Sequence, residues 1–241
     1  MRAFLLLFQC CLLSLALAFH PSQHIFSEAA DDVGGTKYHV PSMRESAIMA
    51  RRILQLSSIG TLSTVFPPSS TSSEYSIEED RPDNLGGVPL GIMDYYADCE
   101  PSTANPTFLA ITISSPFRNA AAGSNMSLSI RWEPPFTGLG RYYSPAAMPR
   151  FALIGYVEDI TATDVDSGDI LRCFTDRHPD ALTWVPGSDI HTSKWARLVV
   201  EHVYWFGGFG DRARIGWIPA EMWRNVTREE IESQRLPGEI Y

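Results

Sequence analysis

Catalysis needs groups that attack, ligate or cradle, and few residues of this chain are spaced to do so. Gly208-x-Gly210-x-x-Ala213 matches the glycine spacing of a dinucleotide-binding turn. That turn works only between a strand and a helix, whose N-terminus meets the phosphate. Here Arg214-Ile215-Gly216-Trp217-Ile218 follows with the composition of a strand, so the glycines predict a hairpin turn instead. No G-x-S-x-G nucleophile elbow occurs. No histidine pair has the helix-face spacing of a metal site, and no cysteine pair is close enough for a zinc knuckle. His178, His191 and His202 therefore read as surface or satisfied core histidines.

The N-terminus predicts an address. Met1-Arg2 is a short positive start, Phe4 to Leu17 is almost unbroken apolar sequence, and Ala16-Leu17-Ala18 places small residues around a cleavage point. This is the layout of a secretory signal peptide over 1–18, and the run is short of the roughly 20 apolar residues of a spanning helix. The mature chain is expected to start near Phe19 and to have no membrane span. Cys10 and Cys11 leave with the signal, so Cys99 and Cys173 remain, either as a disulfide or as two separate buried thiols. Asn125-Met126-Ser127 and Asn225-Val226-Thr227 become candidate N-glycosylation sites, whereas Asn105-Pro106-Thr107 is excluded by its proline. A formal net charge of −9 argues against nucleic acid or anionic membrane as a partner.

About 220 mature residues suffice for one large β-rich domain. Residues 19–41 read as a flexible leader. Ser42-Met43-Arg44-Glu45 is a capping box, and Ala47, Ala50, Ile53 and Leu54 then recur at helical spacing to about Leu56, with Arg51 and Arg52 on the flank. Ile59 to Phe66 reads as the first strand, and residues 67–84 as an exposed loop rich in Pro, Ser and Glu. Further strands are expected over Gly91–Tyr96, Thr107–Ser114, Met126–Trp132, Phe151–Val157, Arg197–Phe206 and Arg214–Ile218. The Thr107–Ser114 strand is expected to carry one apolar and one small or polar face. Residues 134–149 read as a loop. The stretch 160–184 is more helical, with Asp164 as its cap and a break at His178-Pro179. A short helix over Pro219–Trp223 and a charged tail over 226–241 close the chain. The expected class is α+β, mainly β: a six-stranded antiparallel split β-barrel of Greek-key type with peripheral helices.

Several short motifs recur in a meaningful order. Ala50-Arg51-Arg52-Ile53-Leu54 leads into Gly60-Thr61-Leu62-Ser63-Thr64, then Gly87-Val88-Pro89. Thr112-Ile113-Ser114-Ser115 with Asn119 and Ser127-Leu128-Ser129-Ile130 follow. His178-Pro179-Asp180-Ala181 and Val203-Tyr204-Trp205-Phe206-Gly207-Gly208-Phe209-Gly210 stand downstream. From about residue 42 to 225 this order resembles the CREG family of secreted glycoproteins. Their barrel is similar to the FMN-binding split barrel of pyridoxamine 5'-phosphate oxidases.

The resemblance implies a homodimer with a pocket at the interface, where flavin-binding relatives hold the cofactor phosphate with a cation and strand hydroxyls. On that pattern Thr112, Ser114 and Arg118 are the candidate phosphate ligands, with Ser63 and Thr64 as further donors. Two departures weaken flavin: Pro116 removes an amide donor, and one cation stands where the oxidases have two. CREG-type members are commonly barrels that do not retain flavin. The expectation is therefore a secreted or endolysosomal-vacuolar glycoprotein without a cofactor, acting through a protein or glycan receptor. An FMN-dependent oxidoreductase is the alternative, and haem in the same pocket is a third reading.

Overall fold

The computed structural model describes residues 39–68, 82, 84–135, 144–161, 167–209 and 213–239. The signal peptide, nearly all of the leader, most of the 67–84 loop, Asp164 and Gly210 lie outside these residues. Among the described residues, the helices are α1 (Met43–Leu56), α2 (Ser115–Ala121), α3 (Ser167–Arg177), α4 (Ala220–Arg224) and α5 (Arg228–Ser233). The strands are β1 (Ile59–Val65), β2 (Pro89–Tyr95), β3 (Ala97–Glu100), β4 (Asn105–Ile111), β5 (Met126–Arg131), β6 (Arg150–Asp159), β7 (Ser193–Phe206) and β8 (Ile215–Ile218).

The strands form one antiparallel sheet in the order β2-β1-β5-β6-β7-β4-β3, with β8 also paired to β7. The sheet is curled: Leu62 of β1 and Phe108 of β4 share one buried cluster although three strands lie between theirs in the sheet order. Among the described residues it has eight strands where a six-stranded barrel is expected, and β3 is the one that no expected strand segment covers. The extra pairing comes from β3, whose Ala-Asp-Cys-Glu carries no β-periodic signal and which is held by β4 and by the Arg197–Glu100 ion pair at 2.8 Å. The strand after β3 also differs from expectation. It ends at Ile111, and Pro106 to Ala110 are buried on both faces, because α3 covers the side that an open sheet would leave to water.

The longest strand changes phase midway. Leu198 and Val200 face the core, Glu201 and His202 are both exposed, and then Val203 and Trp205 face the core. This is a β-bulge: Ile154 pairs with His202 but Gly155 pairs with Val200, so β7 has one residue more than β6. A Cβ on Gly155 would lie 1.8 Å from the Val199 carbonyl oxygen, so only glycine lets the strands approach there.

The capping box at Ser42 forms as the sequence predicts. Arg51, expected on a flank, is instead fully buried. Its guanidinium donates to the carbonyls of Pro101 (3.0 Å) and Trp223 (3.3 Å), lies 5.2 Å from the Trp223 ring centroid, and stands 4.0 Å from Asp98. A long side chain with several donors can satisfy carbonyls that an apolar residue could not, which reconciles a charge with a core position. The tail is structured too. Thr227 opens α5 with a second capping box, and Val226, Ile231 and Leu236 join the main core. Its acidic residues disguise this, since Glu230 is committed to Arg44 and to the Thr227 cap.

α3 is fastened across the β3–β4 end. Cys99 and Cys173 are disulfide-bonded, with Cα atoms 5.8 Å apart. Tyr95 stacks on His178 with ring centroids 4.1 Å apart and donates its hydroxyl to Asp180 (3.0 Å). The His178 Nε2 donates to the Tyr96 carbonyl at 3.0 Å, so this buried histidine is satisfied within the core.

Gly155→Ala is expected to lower stability by about 1–3 kcal/mol, the range for overpacking, read by chemical denaturation. The double variant Cys99→Ser, Cys173→Ser is expected to lose about 2–4 kcal/mol in the same assay, given a loop of 74 residues. Stability should also fall with acid. Glu45 is held down from 4.5 to about 2 by the backbone and side chain of Ser42 and by His39. Its contribution is present above pH 4.5 and lost as pH falls through about 2. The acid-side drop in melting temperature is expected to shrink in Glu45→Gln.

Candidate functional site

The curled sheet buries one face and leaves the other outward, where cross-strand register builds rows of side chains. One row runs Met93–Thr61–Ser129–Ala152–Tyr204–Trp217, and the next runs Arg131–Arg150–Phe206–Ile215. These rows form the floor of a cleft of about 1140 Å³. The C-terminal end of α1, with Arg52, Leu56, Ser57 and Ser58, makes one wall, and Glu239 from the tail closes beside it. Short side chains at Thr61, Ser129 and Ala152 keep the floor low.

The three arginines of the cleft are in different states. Arg52 is committed, because it pairs with Glu239 and both side chains are mostly buried. Arg131 makes an exposed ion pair with Glu133, the kind that contributes little. Arg150 lies with its guanidinium 3.9 Å from the Phe206 ring centroid. Its Nη1 donates to the carbonyls of Ala146 (3.2 Å) and Met148 (3.5 Å). No carboxylate pairs with Arg150 among the described residues.

A second, smaller pocket of about 320 Å³ lies where β2 meets the α3 cover, lined by Met93, Asp94, Tyr95, Leu109, Ile111, Phe174 and Trp184 among others. Burial raises the Asp94 carboxyl above its ordinary range, against the Tyr95 amide that hydrogen-bonds it. The α3 segment with its stacked His178 occupies much of this side, so the pocket is shallow and apolar.

The candidate phosphate ligands do not meet in either cavity. Ser63 and Thr64 are adjacent on β1 and so point to opposite faces. Thr64 is buried, and its hydroxyl accepts from the Asn119 Nδ2 at 3.0 Å. The Thr112 hydroxyl, one residue past the end of β4, donates to the Thr192 carbonyl at 3.1 Å. Ser114 takes the N-cap position of α2 without a side-chain cap bond, and Arg118 sits on that helix one turn later. Two of the hydroxyls are thus turned to internal partners, and Ser63 and Thr64 face opposite ways.

The glycosylation candidates Asn125 and Asn225 are both exposed. His202 is exposed, with its ring 6.2 Å from that of Trp217, and His191 is half-buried. Among the described residues, no group of three or more His, Cys, Asp or Glu could hold a metal ion, and no helix is long and apolar enough to cross a membrane. Sequence reasoning missed Arg131, Arg150 and Tyr204 as a group. The only signal is the polar phase of the Ser127-Ser129-Arg131 alternation. Their assembly depends on a register that no local pattern reveals.

Comparison with known folds agrees with this architecture. The heme binding protein from Mycobacterium smegmatis superposes with a TM-score of 0.53 at 22% identity, over 76% of this chain and 60% of that one. The chain thus spans less than two thirds of that relative's length. A protein of unknown function from Agrobacterium tumefaciens overlaps with a TM-score of 0.46 at 21% identity, over 68% of this chain and 57% of its own. An FMN binding, pyridoxamine 5'-phosphate oxidase-related protein from Nostoc punctiforme overlaps with a TM-score of 0.37 at 14% identity, over 66% and 79%. No characterised protein matches by sequence. The family model described as "CREG, beta-barrel" matches residues 41–225. Spanning most of the chain and every strand of the sheet, that match makes this protein a member of the CREG β-barrel family.

Proposed function

We propose that this chain is a secreted or endolysosomal-vacuolar glycoprotein that acts as a homodimer through what it binds rather than by catalysis. The observation that carries the reading is that Ser63, Thr64, Thr112, Ser114 and Arg118 line neither cavity, with Ser63 and Thr64 turned to opposite faces of β1. A dianionic phosphate needs several charged or hydroxyl donors aimed at one point from a rigid frame. Here the Thr112 hydroxyl proton is engaged by the Thr192 carbonyl, and the buried Thr64 hydroxyl already accepts from Asn119. The address rests on the apolar N-terminus, and is supported by the exposed Asn125 and Asn225.

The outward sheet face supports dimerisation. Ile59, Met93, Tyr156 and Trp217 are all exposed there or at its margin, with Met93 72% and Trp217 58% accessible. Apolar side chains gathered on one exposed face are characteristic of a protein contact. A second copy is the occupant in this reading, leaving the cleft open along the seam between the two subunits.

Titrating FMN against the purified glycoprotein, followed by flavin fluorescence, is expected to give no saturable quenching, with Arg118→Ala indistinguishable from the unaltered chain. Saturable quenching that Arg118→Ala weakens by about 10- to 100-fold, the worth of a charged hydrogen bond, would instead establish the flavin oxidoreductase reading.

A further inference from the structure

We infer that the cleft on the outward face is an oxyanion site centred on Arg150, for a small polyhydroxylated molecule bearing a carboxylate or a phosphate. This deepens the reading that the chain works through what it binds, and it rests on that reading.

The first support is the state of the Arg150 side chain. Both of its hydrogen bonds leave from Nη1, and Phe206 covers one face of the guanidinium. The side chain is thereby fixed in place, while Nε and Nη2 make no hydrogen bond among the described residues. Those two donors form the edge by which arginine grips two oxygens of one anion. A fixed fork loses little freedom on binding, which favours affinity.

A second support is the pairing of like charges. Arg131 and Arg150 are direct cross-strand neighbours on the same face, an arrangement that is unfavourable without an anion nearby. Glu133 relieves it only in part, since its side chain is 73% exposed and reaches Arg131 alone. An anion at Arg150 would be close enough to draw Arg131 toward it. The chain as a whole carries −9, so a cleft with three arginines and two glutamates runs against the general field.

The rest of the cleft suggests the body of the ligand. Ser58, Thr61, Ser129 and Tyr204 line it with hydroxyls, and the small Ala152 leaves room for a ring between them. Hydroxyls at short spacing suit a partner that both donates and accepts, as a sugar does. Carboxylate and phosphate share the two-oxygen face that Arg150 requires, and the probes below separate them.

The test is calorimetric titration of the full mature glycoprotein with glucuronate, glucose 6-phosphate, inorganic phosphate and glucose. One of the two anionic sugars is expected to bind saturably, and glucose is not. Glucuronate alone would assign a carboxylate site, and glucose 6-phosphate alone a phosphate site. Arg150→Gln should weaken binding by about 10- to 100-fold, and Arg150→Lys, which keeps the charge but loses the fork, should weaken it as well. Glu133→Gln, which leaves Arg150 untouched, should tighten binding by releasing Arg131. The inference is overturned if neither anionic sugar binds, if glucose binds as well, or if Arg150→Gln and Glu133→Gln both leave affinity unchanged. It is also overturned if binding vanishes as rising protein concentration drives dimerisation, which would assign the cleft to a carboxylate of a second copy. FMN binding that survives in Arg150→Gln would sink the non-catalytic reading and leave this one standing.

Discussion

A single contact sets the phase of the sheet. Where β6 meets β7, the Val199 carbonyl comes so close to Gly155 that a side chain there would have no room. That approach admits one extra residue into β7, and a shift of one residue exchanges the two faces of a strand. Before the bulge Leu198 and Val200 point inward, and after it Val203 and Trp205 do. Without the shift, Trp205 would face water and Tyr204 would enter the core. The outward placing of Tyr204 and Phe206, and with it the cleft floor and the support of Arg150, follows from that one glycine.

The periphery shows how charge can be used to build a core rather than to decorate it. Arg51 lies wholly inside, held by two carbonyls and the Trp223 ring, with Asp98 nearby and its Nε without a hydrogen-bond partner. Burial raises the Asp98 carboxyl and opposes the ionised form, while Arg51 and Arg177 pull it back. Arg197 and Glu100 make a closer buried pair at the other end of β3. Such pairs stabilise weakly, since desolvation offsets much of their attraction. Their effect here is to position: a short strand with no apolar alternation is pinned between α1 and β7. The disulfide then ties that strand to α3, which covers the sheet where a more open barrel would leave a cavity.

Local signals in the sequence announced local structure. The Ser42 box and the spacing after it marked α1 to within a residue, and alternation marked β5 and β6, because both patterns reflect contacts within a few residues. What escaped was whatever depended on distant partners. β3 is held by Arg197 rather than by its own pattern, β4 is buried twice because α3 arrives from elsewhere, and α5 hides apolar Ile231 among acids that serve caps. The candidate site divides in the same way. Thr112, Ser114 and Arg118 were chosen by their order in a family pattern, yet their partners, and so their availability, are decided by Thr192 and by the turn into α2. Arg131 and Arg150 sit 19 residues apart in sequence and become neighbours only through the β5–β6 register.

The central claim is that this CREG-family barrel works by binding and carries no redox group. It is tested most directly by the visible absorption spectrum of the protein purified from its own expressing cells without added cofactor. The account predicts a spectrum with protein absorption in the ultraviolet and nothing in the visible. A yellow preparation with flavin bands, or a Soret band from haem, would contradict it.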